Sequence, residues 1–353
     1  MKVFIISHDD LDGVGASAVA YQYFKIYRKY EVNNFVFYNI NYITMIKDIL
    51  GRYDIKEDDI ILFLDYSFSN NENLEYLINL IEAGSNILWI DHHKTSLDLL
   101  ANKLQDYLQY SNFRHVIDVS HCATYLVYEL FMNELYGREC DHYIPEFIQY
   151  INSHDLWLHN KPCTEEFVYG IGACLSTPMT FIKHITGNKD TNIFKPSFTI
   201  YDKMVINNII GNGTAIKKYL ESMYTKQVED KAFEIKINDR IIEKQYSGLA
   251  LNGTDNSLVF GDKINEYDFV CLFSYYGDKW RYSIYSAKDD ADCSDIAYKL
   301  GYFDGLGGGG HKGAAGFVTN TNILDGLHLI TIKKHTDTDM AIYLSALKDD
   351  DDV

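Results

Sequence analysis

Arginine is scarce in this 353-residue chain: only six are present, against a formal charge of −18. No basic run exceeds two residues. Proteins that grip long DNA or RNA draw most of their affinity from neutralising backbone phosphates along a basic track. That class of partner is therefore excluded, and a phosphate-bearing substrate would have to be short and met by bound cations. Proline is also scarce, with four residues, and 47% of the chain is hydrophobic. These values exclude a disordered or fibrous chain. The six cysteines (Cys122, Cys140, Cys163, Cys174, Cys271, Cys293) include no CxxC pair, which argues against a disulfide framework or a structural zinc site. No apolar run reaches the roughly 18 residues of a membrane helix, and the opening Lys2-Val3-Phe4-Ile5-Ile6 is too short for a secretory leader. A cytoplasmic protein without membrane contact is expected.

What is present reads as strands and helices in alternation. Val3–Ser7, Asn34–Ile40, Ile60–Asp65 and Asn86–Ile90 are strand-like, and the last two are apolar throughout, as in strands buried on both faces. Helical spacing covers Gly13–Tyr30, Tyr42–Tyr53, Asn71–Ala83, His121–Tyr136 and Ile144–Asp155. This alternation predicts an α/β fold with an N-terminal doubly wound, mainly parallel sheet. A polar stretch at 186–200 suggests a boundary, followed by a helix over Tyr201–Glu234 interrupted near Gly211–Gly213. Strands are expected at Arg240–Gln245, Ser257–Gly261, Phe269–Tyr276 and Trp280–Ser286, then a helix over Ser294–Leu300 and a glycine run, Gly305–Gly310. The expected organisation is a catalytic domain over 1–190 and a largely helical linker over 191–238. A smaller α/β domain with a mixed sheet follows over 239–335, then a C-terminal helix and acidic tail over 336–353.

The chemistry concentrates where strands end. Ligands of open parallel sheets bind outside the carboxyl ends of strands. Three apolar runs here lead into Ser7-His8-Asp9-Asp10-Leu11-Asp12-Gly13, into Asp65, and into Asp91-His92-His93. A carboxylate against a buried apolar run is costly unless it is paired or holds a cation. His8, Asp10 and Asp12 are two apart, so an extended segment points them the same way, and Gly13 and Gly15 allow a tight turn into the helix. Asp155 closes another apolar helix. Taken singly, Asp10 or Asp12 could be a helix N-cap, and Asp65 or Asp155 a turn cap; together they converge on a site. Mixed His and carboxylate donors suit manganese, with magnesium or cobalt as alternatives. Two such ions would clamp the attacking and leaving oxygens of a phosphoryl displacement and generate hydroxide between them.

In these four motifs the chain resembles the DHH phosphoesterases, a family named for the sequence at Asp91-His92-His93. The run Gly307-Gly308-Gly309-Gly310-His311-Lys312-Gly313-Ala314-Ala315-Gly316-Phe317 resembles the signature of the DHH-associated substrate-binding domain. The opening motif is most similar to the bacterial nanoRNase (oligoribonuclease) and cyclic-nucleotide phosphodiesterase branch. The resemblance implies that His8, Asp10 and Asp65 hold one metal, and that Asp12, Asp65, His92 and Asp155 hold the second, with Asp65 bridging. It further implies that Asp91 orients the site, that His93 contacts the scissile phosphate, and that His311 with Gly308, Gly309 and Gly310 holds the rest of the substrate. Two departures stand out. Many members place the first histidine four residues before the first Asp, where this chain has Ile6 and uses His8 instead. Many also carry an arginine before Ser286, where this chain has Tyr285; Arg281 or Lys288 then becomes the candidate phosphate contact.

The expected activity is release of mononucleotides from very short RNA, by attack of a metal-bridged hydroxide. The expected partner is a short oligoribonucleotide or dinucleotide rather than a long duplex, and a homodimer is compatible with it. Hydrolysis of a cyclic or linear dinucleotide is the alternative within enzymes. A non-catalytic nucleotide-sequestering protein is the alternative outside them; the intact Asp10, Asp12, Asp65, His92 and Asp155 speak against it.

Overall fold

The computed structural model describes residues 1–334 and 340–344, apart from 43, 138–142, 159, 173–176, 187–190, 289, 303–306 and 325–328. The chain divides into two compact units, Met1–Lys217 and Lys218–Val353. In the first unit β1 (Val3–His8) leads into α1 (Leu11–Tyr27), β2 (Phe35–Ile40), α2 (Ile46–Leu50), β3 (Ile60–Leu64), α3 (Asn71–Glu82) and β4 (Asn86–Asp91). Next come α4 (Lys94–Asn102), β5 (Phe113–Ile117), α5 (Ala123–Tyr136), α6 (Glu146–Asp155), α7 (Thr164–Gly172), α8 (Pro178–Ile185) and α9 (Phe198–Lys231). The unit boundary falls within α9.

The five strands form one parallel sheet in the order β2-β1-β3-β4-β5. Alternation along the strands sends side chains to two cores. Val3, Ile5, Leu62, Leu64, Leu88 and Ile90 pack with α1, α5 and α6. Phe4, Ile6, Ile61, Phe63, Ile87 and Trp89 pack on the other face with α2 and α3. This is the doubly wound arrangement, and the strand order reverses between β1 and β3, the switch point where such sheets bind ligands. The edge strand β5 escapes the sequence pattern because Arg114 and His115 are exposed in its middle.

The second unit holds β6 (Phe233–Asp239), β7 (Lys244–Asn252), β8 (Phe269–Tyr276), β9 (Lys279–Tyr285), α10 (Cys293–Tyr302), β10 (Gly308–Gly310), β11 (Ala314–Thr319), β12 (Leu329–Lys334) and β13 (Met340–Leu344). Its sheet runs β10-β11-β9-β8-β7-β6-β12-β13 and is mixed: β7–β8 and β6–β12 pair in parallel, the others antiparallel. The fold class is therefore as expected, an α/β chain with a parallel N-terminal sheet and a mixed second sheet.

Several local expectations are corrected. The expected strand Arg240–Gln245 begins as a turn: Asp239 Oδ1 accepts from the Ile241 amide at 2.9 Å and Glu243 takes a φ of 53°, so β7 starts only at Lys244. Ser257–Asn265 is a 3₁₀ segment rather than a strand, started by Asn256, whose side chain accepts from the Leu258 amide. Met340–Leu344 is a strand paired to β12, where a C-terminal helix is expected. The acidic tail, Gly305 and Leu306 lie outside the described residues. Among those residues no helix is long and apolar enough to cross a membrane.

The break expected at Gly211–Gly213 is absent, and α9 runs through it. Those glycines serve approach rather than interruption. A Cβ on Gly213 would lie 1.6 Å from the Glu166 carbonyl oxygen, and one on Gly170 would lie 2.0 Å from that of Ile209. Backbone meets backbone where α7 crosses α9. Gly213→Ala is accordingly expected to destabilise the fold by about 3 kcal/mol, the upper range for overpacking, read as a drop in the urea midpoint. An unchanged midpoint would contradict this crossing.

Candidate metal centre

Every candidate ligand of the first unit lies at the carboxyl edge of the sheet or on a helix end beside it. Asp10 is the N-cap of α1: its Oδ1 accepts the Gly13 amide at 2.9 Å, and its Oδ2 lies 2.7 Å from His8 Nδ1. Gly13 and Gly15 are helical rather than turn residues. A Cβ on Gly13 would fall 2.2 Å from the His8 carbonyl oxygen, so glycine lets α1 start directly against the end of β1.

Asp12 points the other way. Its carboxylate accepts the amides of Ala123 (2.7 Å) and Thr124 (2.8 Å), and the Thr124 hydroxyl donates to its carbonyl. The positive end of α5 thus holds a buried anion in place.

Asp65 follows β3 in a left-handed conformation (φ 53°), its amide donating to the Ile90 carbonyl at 2.9 Å. Such backbone strain on a non-glycine residue recurs at functional sites. Asp155 ends α6, and α6 is fixed at its start by the buried Asp202, which accepts from the Glu146 amide and the Tyr143 hydroxyl.

These side chains assemble into overlapping groups. Ligand atoms of His8, Asp10 and Asp65 lie within 4.8 Å of one another, as do those of Asp12, His92 and Asp155. His92 Nε2 stands 3.2 Å from Asp65 Oδ1, 3.2 Å from Asp155 Oδ2 and 3.8 Å from Asp12 Oδ2. A third group joins Asp65 to Asp91, His92 and His93. Asp65 is the common member of the first and third groups and touches the second through His92.

The donor chemistry fits a cation. Neither Asp65 oxygen, nor Asp155 Oδ2, accepts a hydrogen bond, although all three are buried. Burial, then the charges of Asp10, Asp12 and Asp155, pushes the Asp65 carboxyl well above the usual range, and burial with Asp12 and Asp10 does the same to Asp155. Buried carboxylates crowded this way require positive charge. Burial lowers the pKa of His92 and keeps its imidazole neutral, the form that ligates metal. Asp10 differs: burial raises its pKa, but the His8 contact and the Gly13 amide outweigh it and hold the carboxyl far below the usual range.

Asp91 and His93 form a second arrangement beside the cluster. The Ser96 hydroxyl donates to Asp91 Oδ2, and His93 Nδ1 lies 2.8 Å from Asp91 Oδ1. The side chain of His92 is 1% exposed and that of His93 24%. His92 is therefore enclosed among the carboxylates, while His93 can reach a substrate. Burial alone would lower the His93 pKa, but Asp91 beside it produces a net rise.

The second unit carries the remaining candidate residues. Gly308–Gly310 is the edge strand β10. A Cβ on Gly308 would lie 2.2 Å from the Ala297 carbonyl oxygen, and Gly310 adopts φ 147°. His311 is exposed and opens the tight turn to β11, exchanging backbone bonds with Ala314. Ser286 is buried; its hydroxyl donates to the Asp268 carbonyl and accepts from the Lys288 amide. Arg281 pairs across from Val318, four residues along β9 from Tyr285, and its guanidinium lies over Tyr276. Ser286 lies at the glycine hairpin, its amide donating to the Gly313 carbonyl at 2.9 Å, whereas Arg281 lies away from it.

Asp202 supplies a pH test. Burial pushes its carboxyl up to about 6, against the opposing hydrogen bonds from Glu146 and Tyr143. A raised carboxyl contributes most when protonated, so its stabilisation is full below about pH 4 and is lost as pH rises through about 6. Asp202→Asn should therefore gain stability relative to the unsubstituted chain between pH 4 and 7, by up to about 3 kcal/mol, in parallel urea titrations. A difference that stays flat or falls with pH would contradict the assignment.

Comparison with known proteins follows the same division. Residues 2–153 match the model of the DHH family, N-terminal domain. The uncharacterized protein R106 of Acanthamoeba polyphaga mimivirus is 23% identical over 312 residues, 86% of this chain and 64% of that protein. A 3',5'-cyclic-nucleotide phosphodiesterase of Helicobacter pylori is 29% identical over 168 residues, 44% of each chain. The chain thus covers less than two thirds of the length of either curated relative. Among solved structures, the pGpG-specific phosphodiesterase PggH from Vibrio cholerae aligns at 15% identity with a TM-score of 0.42, over 92% of this chain and 95% of that one.

Proposed function

We propose, from the match of residues 2–153 to the DHH family, N-terminal domain, that the chain is a divalent-metal-dependent phosphodiesterase that hydrolyses very short RNA to mononucleotides. The observation that carries this reading is the cluster in which buried Asp12, Asp65 and His92 meet the partly buried His8 and Asp155 and the exposed Asp10, and whose Asp65 oxygens accept no hydrogen bond. His8, Asp10 and Asp65 would hold one cation, and Asp12, Asp65, His92 and Asp155 the other, manganese being the proposed ion. Such ions, when bound, acidify a water and neutralise charge on phosphoryl oxygens. The residues do the rest. Asp12 is locked by the α5 amides, and Asp91 holds His93 at Nδ1, leaving a partly exposed ring to meet the substrate phosphate. His311 and Gly308–Gly310 are proposed to hold the remainder of the substrate.

The charge of −18 with six arginines, and no basic run longer than two residues, argues for short substrates, since a net negative chain repels longer strands. The test incubates the protein in manganese with end-labelled oligomers of about two to seven nucleotides and with cyclic dinucleotides, and resolves the products. The expected kcat/KM is highest for about two to four nucleotides and falls steeply beyond about five, and His311→Ala raises KM for the short substrates and flattens that preference. Degradation of a strand of about two dozen nucleotides as fast as a dimer would overturn the reading. A second reading, cyclic-nucleotide hydrolysis, is favoured by the name of the Helicobacter pylori relative. It prevails if a 3',5'-cyclic mononucleotide or a cyclic dinucleotide is cleaved and linear oligomers are not.

A further inference from the structure

Tyr42 stands at the end of a fourth strand, just past β2, and nothing in the sequence motifs claims it. Its hydroxyl lies 3.4 Å from His93 Nε2. Its ring lies 4.8 Å from the ring of His8 and is stacked 5.4 Å from Tyr66. The segment is fixed from behind by the buried Asn73, whose amide nitrogen donates to the Thr44 carbonyl and to the Tyr66 hydroxyl, both at 2.9 Å, and whose Oδ1 accepts from the Ile46 amide at 2.9 Å. Asn73 is 1% exposed. Those bonds anchor the chain two and four residues beyond Tyr42 and the Tyr66 ring on which Tyr42 stacks.

We propose that Tyr42 is a positioning residue for His93: while Asp91 holds Nδ1, the phenol oxygen shares the Nε2 proton with the substrate phosphoryl oxygen and fixes the turn of the ring. The inference rests on the reading above in giving His93 the substrate phosphate. An imidazole tethered at one nitrogen can still swing about its ring torsion, which is broad; a second contact across the ring removes that freedom. The separation of 3.4 Å is long for a hydrogen bond, and such contacts commonly tighten once substrate is bound. The ring contacts with His8 and Tyr66 are separable from the hydroxyl, so Tyr42→Phe removes only the oxygen.

In manganese, Tyr42→Phe is expected to lower kcat about tenfold with KM within about twofold, and to bind as many manganese ions as the unsubstituted chain. In a His93→Ala background, followed over long incubations, the same substitution is expected to cost nothing further, because the two residues act as one unit. An unchanged kcat, a rise in KM alone, lost manganese, or a full additional loss without His93 would each overturn the proposal. A readout independent of turnover separates this inference from the reading it rests on. In the magnesium-loaded chain with ¹⁵N-labelled histidines, Tyr42→Phe should shift the Nε2 resonance of His93, and an unmoved resonance would overturn the contact itself. Failure of the unsubstituted chain to cleave any phosphodiester, with that shift present, would instead overturn only the functional reading.

Discussion

Asp65→Asn is expected to abolish hydrolysis at every manganese concentration while making the metal-free protein more stable. Asp65 belongs to two of the three ligand groups and meets the third through His92, and burial with four neighbouring carboxylates already strains its charge. The amide keeps the size but loses the charge and one acceptor oxygen, so it cannot bridge two cations. The expected loss is on the order of 10³-fold or more in kcat/KM. The fold should tolerate the change, because asparagine adopts the left-handed conformation at φ 53° as readily as aspartate. Removing one of several crowded anions should then raise the melting temperature in EDTA. Near-normal turnover, or a lower melting temperature, would contradict the assignment of this residue.

His93→Ala is expected to cut turnover by about 10²- to 10³-fold and still leave two bound cations. The difference in enclosure between the adjacent histidines is the basis. His92 stands 3.2 Å from both Asp65 and Asp155, whereas His93 gives its Nδ1 to Asp91 and keeps a partly exposed ring. Calorimetric titration with manganese separates the two roles. His92→Ala should lose a binding event, and His93→Ala should lose none. A missing cation in His93→Ala would make it a ligand and remove it from the substrate side.

How much of this was legible in the sequence depended on whether a residue's partners lie along its own strand. The runs ending in Asp65 and Asp91 are apolar because both faces of β3 and β4 are covered, so the strands and their terminal carboxylates were readable together. Asp12 was readable as a candidate ligand. Its clamp on α5 was not, since Ala123 and Thr124 stand more than a hundred positions away and show no pattern of their own. The glycines of α9 read as a break because propensity sees only the helix, while their reason lies in the Glu166 backbone across the crossing. Exposed Arg114 and His115 hid the edge strand β5. Ser96 and Tyr42 each carried a faint signal: one opens the helix after the DHH motif, and the other follows a strand end as the ligands do. Polar or aromatic residues at such places are too common for spacing to single them out.

The central claim is that one cluster of carboxylates and histidines at the sheet's carboxyl edge holds two cations for phosphodiester cleavage. An anomalous-difference map from crystals soaked in manganese tests it most directly. The account predicts two peaks roughly 3.5–4 Å apart, the first bounded by His8, Asp10 and Asp65 and the second by Asp12, Asp65, His92 and Asp155. A single peak, or none, in crystals of protein that still hydrolyses short RNA would contradict it.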